Sequence, residues 1–133
     1  MRYSHTIELK VRDYECDMQA VVNNGTYLNY LEHARHEFLK SCGIDFAAVT
    51  ASGVNLVVTR AELDYRKSLV SGDLFRVSST VRRASKVRFE FHQEIHRLPD
   101  EILILSAKIT GTSLNSRGRP FVPDLLQALF DED

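Results

Sequence analysis

Cysteine is scarce in this chain. Cys16 and Cys42 are all there is, and their spacing fits neither a metal-ligand pattern nor a disulfide framework. An excess of one charge is also missing. Lysine and arginine number 17 against 18 aspartates and glutamates, a formal net charge of −1, which argues against a nucleic-acid binder working by bulk attraction to phosphate. No apolar run approaches the about 20 residues of a membrane-spanning helix. No signal peptide, repeat, low-complexity tract or linker is visible. A Gly-rich phosphate loop and a Ser-His-Asp set are absent, and Cys16, beside the acidic Asp17, is a poor nucleophile. What remains is a chain of 133 residues, 44% hydrophobic and 26% charged, the composition of one globular domain spanning 1–133. A reducing, cytoplasmic location is the expectation, and association into an oligomer would help a domain of this size.

Hydrophobic periodicity divides the chain. His5, Ile7, Leu9 and Val11 alternate with polar residues, the period of a half-buried strand. Asp13 to Gly25 has no sustained period and reads as a loop. From Thr26 the period changes: Tyr27, Leu31, Ala34, Phe38 and Cys42 fall on one helical stripe, with Asn23, Asn24 or Thr26 as candidate caps and Gly43 as its stop. Ile44–Val49 reads as a short extra turn. Strands follow over Val54–Lys67, Phe75–Val81, Val87–Ile95 and Ile102–Leu114, and a short terminal helix runs from Asp124 through Phe130. Connections of a few residues force antiparallel hairpins. The fold class is α+β: one long central helix wrapped by a curved antiparallel sheet of about five strands.

Chemistry concentrates where the first loop meets the long helix. A carboxylate ahead of free helix N-terminal amides is the equipment for attacking a polarised carbonyl. Asp17 could act as nucleophile or general base, with the amide of Asn24 or Gly25 polarising the oxygen. Asp13 and Glu15 are equally acidic and close by, so the residues alone do not single out one acid, and a turn-capping role suits any of them.

Three segments carry a resemblance: Val11-Arg12-Asp13-Tyr14-Glu15-Cys16-Asp17, Val21-Val22-Asn23-Asn24-Gly25-Thr26-Tyr27 and Tyr30-Leu31-Glu32-His33-Ala34-Arg35. Together they resemble the signature of the 4-hydroxybenzoyl-CoA thioesterase family, and weaker likeness extends over nearly the whole chain. The resemblance implies the hotdog fold and hydrolysis of acyl-CoA or acyl-carrier-protein thioesters to a free acid and a thiol. It implies Asp17 as the catalytic carboxylate, the backbone N–H of Asn24 as the donor to the thioester oxygen, no cofactor, no metal, and a homodimer or homotetramer with sites built across subunits. Many bacterial relatives have Tyr-His-Ala-Asn where this chain has Asn23-Asn24-Gly25-Thr26. The Val-Val-Asn-Asn form is more similar to plant plastid acyl-acyl-carrier-protein thioesterases. The missing histidine disfavours a hotdog hydratase or dehydratase; an acyl-thioester binding module without turnover remains the other alternative.

Acyl contacts are expected from Asn23, Tyr27, Leu31, Phe38, Phe46, Val57 and Thr59. Arg82, Arg83, Lys86 and Arg88 cluster at one hairpin and suit the phosphates of coenzyme A or an acidic carrier; Arg66 and Lys67 form a second basic group. Glu32 and Arg35 have the spacing of an ion pair within a helix turn. Glu90, His92, Glu94 and His96 share one strand face, expected to be solvated rather than metal-binding.

Overall fold

Alternation in five segments of the sequence becomes five long strands. The computed structural model describes residues 5–127, 129 and 130, the side chain of Phe46 excepted. The elements are β1 (His5–Lys10), a 3-10 turn (Asp13–Glu15), α1 (Asn24–Ser41), α2 (Phe46–Ala51), β2 (Asn55–Tyr65), β3 (Leu74–Arg83), β4 (Phe89–Leu98), β5 (Ile102–Leu114), β6 (Pro120–Phe121) and α3 (Asp124–Gln127). The strands pair antiparallel in the order β1-β3-β4-β5-β2, with the two-residue β6 on β5. The α+β arrangement and its five long strands match the expectation. The short turn read at Ile44–Val49 is displaced to α2, where the Asp45 side chain accepts from Ala47 N–H and sets the start. The expected terminal helix is one turn, and Ala128 lies outside the described residues.

Helix α1 follows β3 from its start to its end. Tyr30, in the second turn, tilts on Phe75 near the start of β3 with ring centroids 4.7 Å apart. Phe38, in the fourth turn, meets Phe91 edge-on at 6.2 Å, and Phe91 pairs across the sheet with Val81 near the end of β3. Leu31 and Ala34 between them are wholly buried, and with Val77, Val81 and Ile95 they form the layer where helix and sheet meet. The start of α1 therefore lies at the Leu69–Phe75 end of the sheet, and the β3–β4 hairpin at the other end.

Strand β2 is an edge. Its alternation does not run through, because a bulge between Val58 and Arg60 shifts the register against β5. Leu56 and Leu63 are seven apart, which places them on opposite faces of a regular strand, yet both pack against the core. The single face that regular alternation would give Val57, Thr59, Ala61, Leu63 and Tyr65 is thereby broken. Gly111 of β5 lies beside the bulge. A Cβ built there would stand 2.8 Å from the Val57 carbonyl oxygen and 3.0 Å from the Phe89 ring, so only glycine lets β2 and Phe89 approach this closely.

The polar face of β4 is less solvated than expected. Glu90 is 8% exposed, and its Oε1 receives Arg82 Nε at 2.6 Å and His92 Nε2 at 2.9 Å. Burial works to raise the Glu90 pKa, but the hydrogen bonds from His92 and Arg82 outweigh it and hold the carboxyl below its ordinary value. Among the described residues no cluster of histidine, cysteine and carboxylate side chains has the makings of a metal site.

The close approach at Gly111 predicts that Gly111→Ala lowers unfolding free energy by about 1–3 kcal/mol through overpacking. Urea denaturation measures the loss, which should appear as a lower midpoint with an unchanged slope.

Candidate active site

The loop from Val11 to Asn23 is tied to the rest of the protein at several points. Cys16 and Val22 form an isolated bridge. Asn23 N–H donates to Glu15 O at 3.0 Å, and Val22 N–H donates to Leu69 O at 2.9 Å. Leu69 N–H in turn donates to Tyr27 Oη at 3.0 Å, deep in the core. Burial raises the Tyr27 pKa, and the Leu69 bond opposes that rise. Tyr65, the last residue of β2, donates its hydroxyl to Asn24 O at 3.2 Å and meets the Tyr27 ring edge-on. The end of β2, the Leu69 segment and the first turn of α1 thus form one block.

Three acids in this loop have different duties. Asp13 accepts a hydrogen bond from the Ser71 hydroxyl. Glu15 Oε1 accepts from the Tyr30 hydroxyl and from Arg12 N–H, both at 2.8 Å. Burial and the bond to Glu15 raise the Tyr30 pKa, so its proton stays in place as the donor. Asp17 is exposed, and its Oδ1 accepts from Gln19 N–H at 2.8 Å in a turn closed by Ala20 N–H to Asp17 O at 3.0 Å. That fixes the carboxylate through one oxygen, and among the described residues Oδ2 has no partner. Ala20 closes the turn in the left-handed region, φ 63°, at a cost of about 1–2 kcal/mol.

The helix start sorts its donors in the same way. Asn23 is the N-cap, and its Oδ1 accepts from Gly25 N–H at 2.9 Å. Thr26 N–H donates to Asn23 O. The amide of Gly25, one of two candidates by sequence, is therefore already bonded within the cap. Asn24 N–H is the first-turn donor without an acceptor among the described residues, at the positive end of the helix dipole.

A cavity of about 170 Å³ opens farther along the same helix. Glu32, Arg35, His36 and Leu39 of α1 form one wall. Leu56, Val57 and Val58 of β2, with Phe89, Phe91, Ile109 and Gly111, form the other, and Leu126 closes it. Arg35 is eleven residues from Asn24, about 16 Å along the helix. Val57 lies toward the opposite end of β2 from Tyr65, about 26 Å along the strand.

The expected acyl contacts divide accordingly. Val57 lines the cavity. Tyr27, Leu31 and Phe38 belong to the core, where they leave almost no surface for a ligand, and none of them lines it. Thr59 is exposed in the β2 bulge and donates to Thr110 O at 3.2 Å. Asn23 is the cap, and the Phe46 side chain lies outside the described residues. The basic cluster is split as well. Arg82 is bonded to Glu90, and Arg83 donates to Ser85 O and Lys86 O while stacking on Phe130 at 5.6 Å. Lys86 and Arg88 are exposed.

One polar contact on the helix–sheet layer replaces the pairing expected from helix spacing. Arg35 forms no ion pair with Glu32; its Nη1 donates to Gln93 Oε1 at 3.1 Å. Burial lowers the Arg35 pKa, with the Glu32 charge opposing. The signal was Gln93 itself, the one polar residue in the alternating apolar series Phe89, Phe91, Gln93, Ile95. The Tyr65 bond to the helix start had no sequence signal, since it joins residues 41 apart.

Comparison with known proteins places residues 11–129 in the family described as the thioesterase-like superfamily. The chain is 42% identical over 127 residues to the chloroplastic acyl-acyl carrier protein thioesterase ATL2 of Arabidopsis thaliana, covering 95% of this chain and 68% of that protein. It is 31% identical over 103 residues to the long-chain acyl-CoA thioesterase FadM of Escherichia coli, covering 77% of each. The fold superimposes on a 1,4-dihydroxy-2-naphthoyl-CoA thioesterase from Synechocystis with a TM-score of 0.87, 23% identity and 93% coverage of both chains.

Removing the cap tests how the turn is held. Asn23→Ala is expected to lower stability by about 1 kcal/mol, whereas Asn23→Asp, which keeps the acceptor, holds it near the parent value. Thermal unfolding of the two variants side by side reads the difference.

Proposed function

The chain belongs to the thioesterase-like superfamily and is a thioester hydrolase of hotdog fold, and on that premise we propose that Asp17 is its catalytic carboxylate and Asn24 N–H its oxyanion donor. The observation carrying this reading is the division of labour in the loop. Asp13 and Glu15 are bonded as braces to Ser71 and Tyr30 and Gly25 N–H is used in the cap, whereas among the described residues Asp17 is bonded only within its own turn and Asn24 N–H has no acceptor. The thioester oxygen takes the Asn24 N–H, where the helix dipole favours the negative charge that develops. Asp17 attacks the carbonyl carbon and expels the thiolate, leaving a mixed anhydride that water then opens, or it takes a proton from the water that attacks the carbonyl and the thiolate leaves as the tetrahedral intermediate collapses. Both routes end in the carboxylic acid and the free thiol.

The acyl group occupies the cavity between α1 and β2. Within one protomer that cavity stands about 16 Å along the helix from Asn24. Strand β2 is an exposed edge, and pairing it antiparallel with β2 of a second copy, about its middle, carries that copy's Asp17 turn toward the Asn55 end, beside the cavity. Exposed Val58 and Tyr65 on the same edge support burial there. The working unit in this reading is a homodimer or a tetramer built from it, with the acyl cavity of one protomer facing the carboxylate of the other. The same pairing brings the exposed Lys86 and Arg88 of one copy toward the turn of its mate. That suits the phosphates of coenzyme A or the acidic surface of a carrier protein. Two unpaired thiols support a reducing, cytoplasmic compartment.

Two variants test the catalytic role and the shared site together. Asp17→Asn should lower kcat by about 10²–10⁴-fold on every acyl thioester. Val57→Trp should block the cavity while leaving Asp17 intact. Mixing the two inactive proteins under conditions of subunit exchange should restore activity, because a mixed dimer holds one open cavity facing one intact carboxylate. No restoration would place cavity and carboxylate of each working site in a single protomer.

A further inference from the structure

The cavity wall holds a charged group for which hydrolysis has no use. Arg35 lines a space whose sheet side is hydrocarbon from Leu56, Val57, Phe89, Phe91 and Ile109. Its neighbour is fixed in orientation. Gln93 is 1% exposed, and its Nε2 donates to Leu31 O at 3.1 Å and to Ser79 Oγ at 3.0 Å. Turning the amide over would set Oε1 against the Leu31 carbonyl oxygen, so Oε1 is held toward Arg35. The guanidinium has five N–H groups. Gln93 takes one of them, and among the described residues no carboxylate comes within ion-pair distance of the rest. A partly buried cation against one neutral amide calls for a further acceptor, and the open side is the cavity.

We propose that Arg35 reads an oxygen carried on the acyl group itself, a hydroxyl or oxo substituent beyond the thioester carbonyl, which accepts from the guanidinium while hydrocarbon fills the remaining space. The proposal rests on the cavity being the acyl site argued above. A neutral oxygen fits better than a carboxylate, because Glu32 lines the same cavity and would repel a second negative charge. The arrangement makes Arg35 a specificity residue. A buried donor left without its acceptor penalises the plain chain, and this is how a polar site rejects an analogue that lacks the matching group.

The test uses thioesters of one chain length, unsubstituted or with a single hydroxyl or oxo group moved stepwise along the chain. They are assayed on the wild-type protein, on Arg35→Met and on Arg35→Lys. The wild type should show a maximum of kcat/KM at one substituent position, about tenfold or more above the unsubstituted chain. Arg35→Met should bring that ratio near one, and Arg35→Lys should leave a reduced maximum. A flat wild-type profile, or an unchanged profile in Arg35→Met, overturns the proposal. If Arg35→Met fails to fold, Arg35→Lys decides: an undiminished maximum overturns it. Val57→Phe separates the two assignments. If it leaves chain-length preference untouched, the acyl site lies elsewhere and the Arg35 reading falls with it. If it shifts that preference while the oxygen profile survives Arg35→Met, the acyl site stands and only the Arg35 reading falls.

Discussion

The backbone of Leu69 joins the helix to the sheet, and the geometry of the candidate site depends on it. Leu69 is wholly buried, in the connection between β2 and β3. Both of its backbone groups are satisfied from the helix start: its N–H by Tyr27 Oη, its C=O by Val22 N–H. Neither group could be left unpaired at that depth without a cost of about 1–3 kcal/mol. The first turn of α1 is thereby fixed relative to the sheet, and the Cys16–Val22 bridge carries the constraint outward to Asp17. An exposed turn with a left-handed alanine keeps one shape because its two ends are anchored to the core.

From that anchor the site becomes a matter of which polar groups are already bonded. Asp13 and Glu15 hold the loop to Ser71 and Tyr30, and Asn23 holds Gly25 N–H. Among the described residues Asp17, bonded only within its own turn, Asn24 N–H and, farther along the helix, the guanidinium of Arg35 keep capacity to spare. The first two suit a carbonyl gaining negative charge, and the third suits an oxygen at some remove from it. Fixed donors at a developing charge need no reorganisation during the reaction, which is what makes such a turn effective.

The layer architecture was legible in the sequence because period two and period 3.6 are strong signals over ten or more residues. The start of α1 was legible to within a few residues from Asn23, Asn24 and Thr26, the cap falling on Asn23, and the segment around Asp17 was legible from its motif. Distinguishing the three loop acids from the residues alone was not possible, since their duties depend on Ser71 and Tyr30, brought in from 58 and 15 residues away. The β2 bulge was hidden because Val57 to Tyr65 alternates well enough to read as regular, and the Gly111 contact beside it is visible only when β2 and β5 are paired. The same blindness placed Tyr27 and Leu31 in the acyl pocket. Both are apolar-faced residues at the right end of the helix, but the core takes all of their surface. The basic hairpin was over-read for a related reason: Arg82 and Arg83 find partners within the fold.

The most direct measurement is a crystal structure of the Asp17→Asn protein with a non-hydrolysable ketone analogue of an acyl thioester. The ketone oxygen is expected within hydrogen-bond distance of Asn24 N–H, the substituted side chain at position 17 against the carbonyl carbon, and the acyl tail between Val57 and Arg35 of the neighbouring copy. A ketone oxygen seated away from the start of α1, with Asn24 N–H bonded elsewhere, would contradict it.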